Sequence, residues 1–110
     1  MWFYKAEEVN RAASDPSASG DNTIIAAQGG TKRIAVLGYA LQGKGTVNAK
    51  FTDGAGGSQL SLTWNFQARE GSVVPTGTEP LWIGSANTAL VLNLSGSVEC
   101  GVEVTWVALG

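Results

Sequence analysis

Residues 45–67 read GTVNAKFTDGAGGSQLSLTWNFQ, and polar and apolar side chains alternate on both sides of a glycine-rich centre. Alternation with a period of two places the apolar side chains on one face of a β-strand and the polar ones on the other. Val47, Ala49 and Phe51 therefore mark the inward face of a first strand. Asp53–Gly57 supplies the positive-φ positions of a hairpin loop, and a second strand follows over residues 59–67.

The same alternation returns near the C-terminal end of the sequence. Residues 89–95 alternate in this way, and Gly96 then turns the chain into a second alternating segment that runs to Trp106. Such a pattern predicts that the last two strands form a hairpin. The residues predicted to share one core are Leu60, Leu62, Trp64, Phe66, Leu90, Leu92, Leu94, Val102, Val104 and Trp106.

Arg33–Leu41 differs from these strands because it is apolar on both faces. A strand of this kind is covered on both sides, here by the core and by an arm, a loop or a neighbouring subunit. Thr23–Ala27 is a weaker strand candidate, and Pro75 and Pro80 limit residues 72–84 to a long loop or an edge strand. The predicted fold class is all-β, an antiparallel β-sandwich or jelly-roll-like barrel of seven to eight short strands with an N-terminal arm.

The N-terminal residues lack this pattern, so we expect residues 1–22 to be an arm and linker and residues 23–110 to be the β-sandwich domain. Lys5–Ala13 is long enough for about two helical turns, which Asp15-Pro16 would end. Ser17–Gly20 has the composition of a flexible linker.

Composition excludes several classes of protein. The chain has 110 residues, enough for one core, with seven Lys and Arg against nine Asp and Glu, so it lacks the basic excess that binds nucleic acid. Cys100 is the only cysteine; no internal disulfide is possible, and its inward register predicts a buried, reduced thiol. No signal peptide or run of 18 apolar residues is present, which argues against a membrane span.

No catalytic constellation emerges from the sequence. Histidine is absent, which removes the commonest general base and transition-metal ligand. Gly38–Gly45 resembles a phosphate-binding loop but has Gly45 where Ser or Thr is required and no helix after it, so a hairpin turn is expected. Asp53 has no second carboxylate in its loop for Ca²⁺, and Glu99 and Glu103 belong to a solvated strand face. We therefore predict no enzyme, no catalytic residue, no cofactor and no metal.

The features that call for a partner are aromatic. Trp2-Phe3-Tyr4 forms a cluster that would be costly to leave in water. The arm that carries it either folds back over Arg33–Leu41 of its own sandwich or docks on a neighbouring subunit. The predicted protein-binding residues are Trp2, Phe3, Tyr4, Val9, Tyr39 and Trp82.

Thr31–Tyr39 and Asn87–Gly96 resemble segments of small β-sandwich virion proteins of tailed bacteriophages, a likeness that covers residues 23–108. It implies a structural virion protein on the capsid surface, made in the host cytoplasm. In that family the leading role is capsid decoration or cementing, by binding the major capsid protein and stabilising the head. The apolar second face of the sandwich separately predicts a homo-oligomer, a dimer or trimer, because self-association would cover that face. The alternative is a tail or fibre accessory module that binds a receptor or glycan, with Trp82 as the stacking surface.

Overall fold

The computed structural model describes residues 9–110, which contain nine β-strands and no helix. The strands are β1 (Asn10–Ser14), β2 (Gly20–Ile25), β3 (Arg33–Gly43), β4 (Val47–Asp53), β5 (Trp64–Phe66), β6 (Gly71–Val74), β7 (Trp82–Ile83), β8 (Leu90–Leu94) and β9 (Cys100–Leu109).

The strands form two antiparallel sheets packed face to face. One has the order β1-β9-β3-β6, with β7 also paired to β3, and is called the β3 sheet below; the other has the order β2-β8-β4-β5 and is called the β4 sheet. Apart from β7, the chain fills the two sheets in the order of a jelly roll, an eight-stranded sandwich built from two Greek keys. The all-β sandwich prediction is confirmed.

The core lies between the two sheets and draws fully buried side chains from both of them. Phe51 and Leu92 come from the β4 sheet and Val104 comes from the β3 sheet, and none of the three is exposed. Of the ten predicted core residues, Phe66, Leu90, Leu92, Leu94, Val102 and Val104 are buried, and Leu60, Trp64 and Trp106 are partly buried against the same core.

Leu62 is the exception, and its predicted inward register is wrong. Its side chain is exposed, because residues 60–63 leave the ladder and β5 begins only at Trp64. The amides of Leu60 and Ser61 both approach the Phe51 carbonyl, at 2.9 and 3.4 Å. The Ser61 hydroxyl accepts the Phe51 amide at 2.9 Å in place of a backbone oxygen. This irregularity shifts the alternation and turns Leu62 outward.

Two predicted hairpins are instead crossings between the sheets. β8 pairs with β2 and β4, whereas β9 pairs with β1 and β3, so Ser95–Glu99 carries the chain across the core. Residues 44–46 cross in the same way between β3 and β4, and no helix follows the Gly38–Gly45 segment. Alternation alone does not separate these arrangements, because strands paired side by side and strands facing each other across a core both point their apolar residues inward.

The prediction of a separate arm over residues 1–22 is wrong for its described part. Asn10–Ser14 is strand β1 paired with β9, where a helix over Lys5–Ala13 was expected, and β2 begins at Gly20. A two-turn helix is marginal in water, whereas the edge of β9 offers a full set of backbone partners. Residues between β1 and β2 link the two sheets rather than forming a free linker, and the Pro16 carbonyl accepts the Cys100 amide at 2.9 Å.

β3 is covered on both faces, as its sequence predicted. Tyr39 and Leu41 face the core between the sheets, while Ala35 and Leu37 lie in a second buried cluster on the outer side. Val107 completes that cluster, and Val9 and Leu109 pack against it. The predicted loop around Pro75 and Pro80 is also confirmed, since it separates β6 from β7 at the edge of the sheet.

Candidate protein-docking site

The outer face of the β4 sheet is polar. Asp21, Asn93 and Lys50 lie side by side on neighbouring strands, and Asn93 donates a hydrogen bond to Asp21 at 2.8 Å. Asp21 also accepts the Gly56 amide at 3.0 Å, which ties the β4–β5 loop to β2. Asn48 and Asn65 extend this polar row. The face has the character of a solvated surface.

The outer face of the β3 sheet carries a shallow open groove of about 580 Å³. Its centre is a row across four strands, in which Ala13 lies opposite Glu103, Glu103 opposite Ala40, and Ala40 opposite Val73. We call this surface the β3-sheet groove; its central residues are Ala13, Ala40, Gly71, Val73, Gly101 and Glu103. The side chains on its floor are small, so the sheet backbone lies close to the surface.

One edge of the sandwich holds the exposed large hydrophobic side chains of residues 9–110. They are Leu62 (64% exposed), Val73 (68%), Leu81 (39%) and Ile83 (37%). Val73 is in β6, Ile83 is in β7, Leu81 directly precedes β7, and Leu62 lies just before β5. Since β5 and the β6–β7 pair are terminal strands of the two sheets, we call this surface the apolar edge. Single exposed hydrophobic residues scattered over a surface are ordinary, whereas four of them on one edge mark a candidate interaction site.

Behind the apolar edge lies a cluster of aromatic rings. Tyr39 stacks on Trp82, with ring centroids 5.5 Å apart, and lies 5.5 Å from Trp64 and 5.9 Å from Phe51. The Tyr39 hydroxyl is 3.0 Å from Ser72 Oγ in β6. The cluster fixes the strands of the edge against the core.

The six predicted protein-binding residues do not form one surface in the structure. Tyr39 is buried and Trp82 is half-buried, and both belong to the aromatic cluster instead of presenting a free surface. Val9 is half-buried on the outer side of the β3 sheet. Trp2, Phe3 and Tyr4 lie outside the described residues.

Sequence reasoning missed the residues of the apolar edge. Val73 and Ile83 flank the loop that contains Pro75 and Pro80, and an apolar residue next to such a loop in a predicted edge strand was the available signal. Leu62 gave no signal, because its alternation pointed inward. Leu81 follows Pro80 directly and was read only as part of a short strand piece.

Cys100 is a buried core residue, and two ion pairs join ionisable groups on the surface of residues 9–110. Cys100 is fully buried, and burial raises the pKa of its thiol above the ordinary value. Lys44 forms an exposed ion pair with Glu99, whose hydrogen bond and charge raise the lysine pKa. Arg11 Nε in β1 lies 3.4 Å from Glu103 Oε1 in β9, which forms a second ion pair.

Asp53, considered above as a Ca²⁺ ligand, accepts hydrogen bonds from the Ser85 amide and hydroxyl. No group of three or more Cys, Asp or Glu side chains in the described range is placed to hold a metal ion. Among the same residues no helix has the length and apolar character needed to cross a membrane.

No family model, curated protein or solved structure matches this chain. The fold, the surfaces described above and the sequence resemblance are therefore the basis for inferring a function.

Proposed function

We propose that this chain is a non-enzymatic structural protein of a tailed-phage particle, a capsid decoration or cement protein that binds the major capsid protein and stabilises the head. The observation that carries the proposal is the apolar edge, which gathers the exposed large hydrophobic residues of the described chain on one side of the sandwich.

The apolar edge consists of short strands, and Pro75 and Pro80 lie between two of them. It lacks the other common protection of a free sheet edge, which is charged side chains and especially lysine. β5, β6 and β7 read WNF, GSVV and WI and carry no charge. Exposed apolar side chains next to unpaired strand edges are what a protein partner covers.

The aromatic cluster makes this edge firm enough to serve as a docking surface. Trp82 precedes Ile83 in β7, and Trp64 begins the strand that follows Leu62. Both tryptophan rings contact Tyr39. The exposed side chains are thereby held on a pre-organised support, which lowers the entropy lost on binding.

The virion assignment draws on the resemblance of Thr31–Tyr39 and Asn87–Gly96 to phage β-sandwich proteins. A jelly roll is consistent with it, since viral capsid domains use this architecture, although a fold alone does not set a function. We propose the capsid surface as the location and a homo-oligomer as the assembled form. The glycan-binding alternative depended on Trp82, and one face of that ring stacks on Tyr39.

Co-sedimentation with undecorated heads of a tailed phage that encodes this chain tests the proposal. Leu62→Ser and Ile83→Ser remove apolar contact at the edge, and we expect each to weaken binding at least about tenfold, the effect of losing one interface anchor. Asn48→Ser, at an exposed position of the interior strand β4 on the polar face, is the matched control and should bind like the wild type. Wild-type protein that does not sediment with heads, or edge variants that bind with unchanged affinity, would contradict the proposal.

A further inference from the structure

We infer that the β3-sheet groove of one copy of this chain receives the aromatic segment Trp2–Tyr4 of a second copy. The proposed function includes a homo-oligomer, and this inference rests on that part of it and names the contact between the copies. It assigns a surface that shares Val73 with the apolar edge, and Leu62, Leu81 and Ile83 of that edge are left for the capsid.

The floor of the groove suits flat aromatic side chains. Gly71 and Gly101 lie at one end of it and Ala13 and Ala40 at its centre. A Cβ atom at Gly71 would come within 2.4 Å of the Leu41 carbonyl oxygen, so this position is closed to any larger residue. The close approach at Gly71 is that of β3 in the same sheet. Gly71 and Gly101 also leave backbone uncovered in the groove, and aromatic side chains are suited to cover such backbone.

The walls of the groove match the chemistry of the segment. Val73 offers an apolar wall that is 68% exposed. Asp15 places a carboxylate beside the groove, whereas the carboxylate of Glu103, in the central row, is ion-paired with Arg11. Lys5 follows Tyr4 directly in the sequence. Aromatic side chains beside a lysine fit a surface that combines small apolar side chains with a nearby carboxylate.

The position of Val9 favours a second copy as the source of the segment. Ala13 is four residues further along β1, about 13 Å at 3.3 Å per residue. β1 runs from Asn10 towards the groove, so Val9 lies at the end of β1 that is farther from the groove.

To reach its own groove, the segment would have to reverse between Tyr4 and Val9. Lys5-Ala6-Glu7-Glu8 contains none of the Gly, Asn, Asp or Pro residues that form tight turns. A reversal over all four residues would bring Tyr4, Phe3 and Trp2 level with residues 9, 10 and 11, two positions short of Ala13. The groove of a neighbouring copy carries no such restriction.

The test uses the full-length chain and measures molar mass by light scattering over a range of concentrations. One variant removes the segment's aromatic rings by Trp2→Ser, Phe3→Ser and Tyr4→Ser. A second fills the groove by Ala40→Lys, and its new lysine lies opposite Glu103, a favourable cross-strand pair. Asn65→Lys places the same residue on the polar face as a control, and Ala13→Lys, at an exposed position opposite Glu103, is a second groove variant.

We expect the wild type and Asn65→Lys to exceed the monomer mass of 11.4 kDa as concentration rises, and each segment or groove variant to stay at that mass. Mixing the segment variant with Ala40→Lys should restore a species of twice the monomer mass, because one partner keeps the groove and the other keeps the aromatic rings. All variants should melt within a few degrees of the wild type.

A wild type that stays monomeric, a segment variant that still associates, or a mixture that does not recombine would overturn the inference. If Ala40→Lys is unfolded, Ala13→Lys takes its place in the same mixture. Head binding is scored in a separate assay, so oligomers that do not bind heads would contradict the proposed function alone. Heads bound by a strict monomer would contradict this inference and the proposed homo-oligomer, and would leave the proposed head binding intact.

Discussion

The ring of Trp82 stacks on the ring of Tyr39, with centroids 5.5 Å apart and planes inclined by 20°. β7 pairs with β3 through only two residue pairs, Val36 with Trp82 and Ala35 with Ile83. The Leu81 and Gly84 amides also donate to the Val36 and Ile34 carbonyls, at 2.7 and 2.9 Å, so backbone hydrogen bonds and the packing of Trp82 together hold β7 in place.

Trp82→Ala should lower the free energy of unfolding by about 2 kcal/mol or more, because it removes a large ring from the aromatic cluster. Urea denaturation followed by tryptophan fluorescence measures the change. Ile83→Ala, at an exposed side chain of the same strand, is the control and should cost less. Equal losses at the two positions would mean that the Tyr39 stack does not anchor β7.

Leu92→Ala should destabilise the protein by about 2 to 5 kcal/mol, since the side chain is fully buried between the sheets. Leu62→Ala removes the same atoms from an exposed position and should change stability by no more than about 0.5 kcal/mol. Chemical denaturation of both variants checks the pair. A large loss at Leu62 would show that this side chain packs in the core after all.

Gly38→Ala should destabilise the protein by about 1 to 3 kcal/mol, the usual cost of overpacking. A Cβ atom at Gly38 would lie 2.7 Å from the Thr76 amide nitrogen and 2.8 Å from the Val74 carbonyl oxygen, and both are backbone atoms. Gly96→Ala, where nothing lies within 4 Å, is the control and should be tolerated. Thermal melting of the two variants separates a steric effect from the general loss of a glycine.

Cys100 should react slowly with a thiol reagent in the native protein, because the side chain is buried. Burial also raises the pKa of the thiol in the folded state, whereas in the unfolded chain it ionises near about 8.5. Above that pH the unfolded state binds fewer protons than the folded state, so stability should fall as the pH rises.

Cys100→Ala removes this titration and should lose stability less steeply than the wild type between neutral and alkaline pH. Denaturant titrations at several pH values compare the two slopes. Rapid labelling of the native protein, or identical slopes for both proteins, would show that Cys100 does not face the core.

Alternation predicted the clearest strands, in which every second residue is apolar, and the inward direction of side chains such as Phe51 and Leu92. It did not predict which strand belongs to which sheet. β8 and β9 point towards the same core from opposite sheets, and a hairpin would have shown the same alternation. The pairing depends on contacts distant in sequence, such as Arg33 with Leu109, and no local pattern encodes them.

The docking surfaces were harder to predict than the core. Tyr39 was expected to meet a partner because Arg33–Leu41 is apolar on both faces, and Trp82 was expected to offer a stacking surface. Tertiary packing places both in the aromatic cluster. Leu62 was expected inside and lies outside, because the Ser61 hydroxyl replaces a backbone partner of Phe51. Whether a side chain at a sheet edge is exposed depends on the residue at which the strand pairing ends. Here the hydrogen bond from the Phe51 amide to the Ser61 hydroxyl determines that residue.

The central claim is that this chain coats phage heads. Electron microscopy of particles incubated with gold-labelled protein tests it most directly, with the Leu62→Ser and Ile83→Ser double variant as the matched control. The account predicts label distributed over the head surface for the wild type and little label for the variant. Label confined to tails or fibres, or head labelling that the double variant retains in full, would contradict it.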